Sequence, residues 1–75
     1  MEINCLWVCV ITDEMGNESI GGYHDPVNNQ WRPIIAADER HLESLKPYIH
    51  HLSVVSKNKV KIIKFSNKEE INGIN

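Results

Sequence analysis

The sequence predicts an α+β fold with the order β-β-β-α-β: a small single sheet of about four strands with one helix on one face. Three observations predict it. Residues 3–12, INCLWVCVIT, are apolar on both alternating faces, the pattern of a strand buried on both sides. Asp38 and Glu39 introduce a segment whose apolar residues recur at helical spacing. The later run KVKIIKFS is rich in the β-branched residues that favour strands.

Each element has a local reason. In the first strand, Ile3, Cys5, Trp7, Cys9 and Ile11 point one way, and Leu6, Val8 and Val10 the other. The next residues, DEMGN, are turn formers and make a hairpin to a second strand, ESIGGYH. Gly21 and Gly22 weaken that strand and mark a bulge or a close approach by another element. A third strand, QWRPIIAA, contains Pro33, which has no N–H to give to a central ladder, so it is expected at an edge.

Asp38 is a good N-cap, and Glu39 puts negative charge in the first helical turn. The helix carries Leu42, Leu45, Ile49 and Leu52 on one stripe, with Tyr48 and Val55 beside it, and Asn58 can end it. Pro47 predicts either a kink near residues 43–46 or two short helices meeting there. The last strand is expected beside the first and parallel to it, through a right-handed crossover. One helix covers one face, so the other face should still present apolar side chains.

The 75 residues allow one domain, taken as residues 1–66, with a polar tail over 67–75 that frays or forms a short helical turn. Composition is that of an ordinary globular chain, 41% hydrophobic and 24% charged. A core of this size supplies under ~5 kcal/mol, so outside support is common. No basic leader precedes residues 5–11, that run is too short to span a bilayer, and the last three residues form no lipidation box. A soluble, cytoplasmic protein with no membrane partner is expected. Cys5 and Cys9 would lie ~13 Å apart along a strand, too far for a disulfide, and lack the C-x-x-C spacing of zinc sites. They are expected as buried, reduced thiols.

The net charge of -2 conceals an asymmetry: residues 1–43 carry eight acids against Arg32 and Arg40, whereas 44–68 carry six lysines and no acid. Two groups are therefore candidate sites. The first is Tyr23, His24, Asp25, Trp31 and Arg32 within YHDPVNNQWRP, a loop that could offer an aromatic, a guanidinium and a His/Asp pair to a partner. Turn chemistry accounts for most of it. Asp25-Pro26 starts a turn, Asn28-Asn29 accepts a left-handed residue, and Tyr23 is expected across from Trp31 as a cross-strand aromatic pair. Only Arg32 and His24 are left without a structural role.

The second group, Lys57, Lys59, Lys61, Lys64 and Lys68, could bind an anionic ligand. Lysines also protect edge strands from unwanted pairing, and Lys59 and Lys61 should face away from Lys64. His24, His41, His50 and His51 include no H-x-x-x-H pair, and no nucleophile elbow or phosphate loop occurs. No catalytic residue, metal ligand or cofactor is assigned. The expected function is a small non-enzymatic protein–protein interaction module, a homodimer that also binds another protein. The alternative is a binder of nucleic acid or a nucleotide through the lysine-rich half, for example a phage-type inhibitor of a host system. A third class is an enzyme whose site forms across a dimer.

Overall fold

The structure is a computed structural model that describes residues 2–71. Strand β1 (Leu6–Thr12) is its centre. Strand β6 (Lys59–Phe65) pairs with it antiparallel over its whole length, from Leu6 opposite Phe65 to Thr12 opposite Lys59. The other side of β1 is shared by two short strands. There β2 (Glu18–Ile20) pairs with residues 10–12, and β5 (Ile35–Ala36) pairs with Trp7 and Val8. Between them the chain leaves the sheet as a separate two-stranded arm, β3 (Gly22–Asp25) against β4 (Gln30–Pro33).

The α+β class and the β-β-β-α-β order hold, with the second and third strands each broken in two. The break has one cause. Gly21 N–H donates to the Cys9 carbonyl at 2.8 Å, Cys9 N–H donates to the Ile34 carbonyl at 3.1 Å, and Ile34 N–H donates to the Gly21 carbonyl at 2.8 Å. Both polar groups of one central residue are thus satisfied by two different segments, which must part from each other beyond that point. Gly21 is required here for space: a Cβ would sit 2.8 Å from Cys9 Sγ and 3.1 Å from Leu52 Cδ1.

The parallel pairing expected for the last strand is corrected. β6 is antiparallel to β1, and so is β5, so β5 and β6 run in the same direction on opposite sides of β1. The helical crossover therefore joins β5 to β6 with β1 between them, a split β-α-β unit. The helix follows the third strand, as the expected order has it; that strand's last part, β5, and not β1, is the one parallel to β6.

Helix α1 spans Glu39–Val55. Asp38 caps it, its carboxylate accepting from His41 N–H at 2.7 Å. The helix runs through Pro47 as one element. Pro47 and Glu43 are both exposed, so the Glu43 carbonyl that loses its i+4 donor lies on the side of the helix open to solvent. The end comes at Ser56, before Asn58, with Ser56 N–H donating to Leu52 O at 2.8 Å. Leu45 is buried, a placement worth ~1.5–3 kcal/mol relative to exposure. It meets Cys9, Ile34 and Ala36, with Trp7, Tyr23, Leu42, Ile49, Leu52 and Val60 packed around them. Val55, expected beside the stripe, is exposed. Cys9 is a buried free thiol as expected, and burial pushes its pKa up; Cys5 precedes the strand and is only half-buried. Residues 66–71 have no helix or strand, and tail residues 72–75 lie outside the described part of the chain.

Gly21→Ala should destabilise the protein by ~1–3 kcal/mol through overpacking against Cys9 and Leu52. Adding Cys9→Ala removes the nearest obstructing atom. In urea unfolding, the double variant should be more stable than the sum of the two single losses predicts. Strict additivity would show that Gly21 and Cys9 do not make this contact.

Candidate interaction surface

The five residues of the first candidate site separate onto two sides of the arm. The register pairs Tyr23 with Arg32 and His24 with Trp31. This corrects the expected Tyr23–Trp31 pair by one residue, and a one-residue change in a strand moves a side chain to the opposite face. The turn sets the register. Asp25 pairs with Gln30, and residues 26–29 form the turn with Asn29 in the left-handed region at φ 51°. Asn29 plays the role expected of it.

On the helix side, Tyr23 stacks on Tyr48 of α1, with ring centroids 4.4 Å apart and 26° between planes. Such a pair is worth ~0.5–1.5 kcal/mol beyond the area it buries, and it ties the arm to the helix. Asp25 organises the arm tip. Its Oδ1 accepts from Val27 N–H at 2.9 Å, and its Oδ2 accepts from Asn28 Nδ2 at 3.0 Å and Arg32 Nε at 2.9 Å. These bonds, Asn28 first and then Arg32 and Val27, hold the Asp25 carboxyl below the usual carboxylate range. Arg32, one of the two residues for which the sequence suggests no structural role, thus has one. A groove of about 470 Å³ lies between arm and helix, lined by Tyr23, Asp25, Arg32, His41 and Leu45 among others. Its guanidinium and carboxylate neutralise each other, so it offers no net charge from that pair.

On the opposite side of the arm, His24 meets the edge of Trp31 at 5.6 Å and its Nε2 lies 3.0 Å from Asn29 Oδ1. Trp31 itself is 76% exposed. It is therefore Trp31, not Arg32 or His24, that has no structural partner equal to its size.

The lysines do not form one surface. Lys59 and Lys61 lie opposite Thr12 and Val10, on the sheet face away from the helix, and Lys61 Nζ is 3.2 Å from Glu18 Oε2. Lys64 lies on the helix side, 5.3 Å from the Trp7 ring centroid. Lys68 Nζ donates to the Ile3 carbonyl at 3.4 Å, and Lys57 is exposed in the α1–β6 connection. The four histidines are all exposed, and among the described residues no group of three His, Cys, Asp or Glu is placed to hold a metal ion.

A surface emerges that residue-by-residue reading only half anticipated. The sheet face away from the helix carries Leu6 opposite Phe65, Val8 opposite Ile63, and Val10 opposite Ile20. Val8 and Val10 are buried by their neighbours, but Ile20 is 57% and Phe65 52% exposed. Together with Glu18 and Ser19 at the rim, Val8, Val10, Ile20, Ile63 and Phe65 line a shallow groove of about 240 Å³. The sequence groups Leu6, Val8 and Val10 on one face of β1 but leaves open whether they or their opposites are uncovered; Ile20, Ile63 and Phe65 depend on pairing that only the fold supplies.

No family model, curated protein or solved structure matches the chain. No helix among the described residues is long and apolar enough to cross a membrane.

The lowered Asp25 pKa has a pH consequence. In the folded state Asp25 binds a proton less readily than in the unfolded state, so its stabilisation is complete above the unfolded value of ~3.9 and lost as pH falls through the folded one. Melting temperature should therefore drop from about pH 5 to pH 3. Asp25→Asn should melt lower near neutral pH and show a shallower drop over that range. An unchanged slope would mean the carboxylate bonds do not persist in solution.

Proposed function

We propose that this chain is a non-enzymatic protein-interaction module that pairs with a second copy of itself through the helix-free sheet face. The observation that carries this reading is the apolar row of Ile20, Val10, Val8, Ile63, Leu6 and Phe65 on that face, bounded at its Thr12 end by Lys59 and the Lys61–Glu18 ion pair. A single helix shields one face of a sheet, and an apolar row left in water costs free energy that a partner recovers. A domain of 75 residues has little stability to spare, and a second subunit is one of the few supports open to it. A twofold arrangement presents the same patch from both copies. The two free thiols, Cys5 and Cys9, fit a reducing compartment such as the cytoplasm.

An anion-binding role through the lysines has less support. Lys61 is paired with Glu18, Lys64 lies against Trp7, and the group is split between two faces.

Light scattering after size-exclusion chromatography tests the proposal. At micromolar concentration the protein should have twice the 8.6 kDa chain mass. Phe65→Glu should yield a folded monomer, because Phe65 is half exposed in the single chain and tolerates a charge there. A clean monomer of the unmodified protein at that concentration would overturn the proposal.

A further inference from the structure

The arm and the helix-free face belong to one side of the molecule. Side chains alternate along a strand, and the alternation can be followed through the junction. Ile20 faces away from the helix. Gly21 faces Leu52, Tyr23 faces Tyr48, and His24 therefore faces away. On the return strand, Ile34 lies in the core beside Leu45, Arg32 is opposite Tyr23, and Trp31 is opposite His24. Trp31 thus projects to the same side as Val8, Val10, Ile20, Ile63 and Phe65.

Trp31 cannot fill its own groove. The arm leaves the edge of the sheet at Gly21 and Ile34, and Trp31 lies three residues further out, ~10 Å along the ribbon. The Asp25 bonds and the Tyr23–Tyr48 stack hold the arm in that extended position.

Area decides what must cover the groove. The face is three strands wide, ~14 Å, and seven residues long, ~23 Å, so it offers only a few hundred Å². A stable interface buries about 800 Å² on each partner. The sheet face alone falls short, and the arm is the adjoining surface on the same side. It carries Trp31, the largest exposed side chain among the described residues, and an indole is the group most often found as an energetic anchor of interfaces.

We infer that two copies assemble by arm exchange, with Trp31 of each seated in the groove formed by Val8, Val10, Ile20, Ile63 and Phe65 of the other. The inference rests on the homodimer reading and specifies its geometry. Each arm extends past its own sheet edge and over the partner's face, so one twofold operation fills both grooves. The occupant of the groove is a second copy of this chain.

Tryptophan fluorescence tests it. In a Trp7→Phe background, Trp31 is the sole tryptophan. Its emission should be blue-shifted at concentrations where light scattering finds a dimer, and should move red on dilution to monomer. Trp31→Ala should weaken dimerisation by about tenfold or more without changing the monomer's far-UV spectrum. A dimer in which Trp31 emits as a solvated indole, and which Trp31→Ala leaves at full affinity, would overturn arm exchange while leaving dimerisation through the sheet face intact. A protein that is monomeric at every concentration would overturn both.

Discussion

Everything in this molecule hangs on the three backbone hydrogen bonds around Cys9. The strand β1 has a partner on each side, and on one side the partner changes at Cys9 from the β2 segment to the β5 segment. Gly21 and Ile34 meet at that point and bond to each other as well as to Cys9. Three buried polar pairs in one place leave no unsatisfied donor where the chain breaks from the sheet, so the break is stable and not a defect. Absence of a side chain at Gly21 lets the Cys9 sulfur and Leu52 close over the junction.

The junction has two consequences. It preserves side-chain alternation between sheet and arm, so Tyr23 reaches the helix while Trp31 is sent to the other side. It also makes the fold lopsided. Core residues Cys9, Ile34, Ala36 and Leu45 lie between sheet and helix, whereas Val8 and Val10 are sheltered only by their own neighbours in the sheet. The one helix among the described residues cannot cover both faces, and the apolar residues on the second face are those that β1, β2 and β6 bring together.

Much of the fold was legible in the sequence because local chemistry determined it. Asp38 capping, the leucine stripe, the turn at Asp13, Gly16 and Asn17, and the left-handed Asn29 each follow from residue type at a position. What was not legible depended on non-local choices. The direction of β6 follows from that of β5, the end of the third strand, which runs antiparallel to β1 because the arm leaves the sheet at Gly21 and returns to the same point on β1 at Ile34. The register of the arm turns on a turn closed between Asp25 and Gln30, and shifting it by one residue exchanges the roles of Trp31 and Arg32. That single step is why sequence reasoning singled out Arg32 and His24 and treated Trp31 as explained. Alternation put Val8 and Val10 on one face of β1 without deciding which face the helix covers, and Ile20, Ile63 and Phe65 join the groove through pairing.

The claim that sheet and arm act as one rigid unit, locked at Cys9, is open to direct measurement by residue-resolved amide hydrogen exchange. The account predicts that the Cys9, Gly21 and Ile34 amides exchange only through global unfolding, and that the paired amides of the arm follow the same denaturant dependence. Arm and junction amides that exchange through local opening, while the β1–β6 amides remain protected, would contradict it.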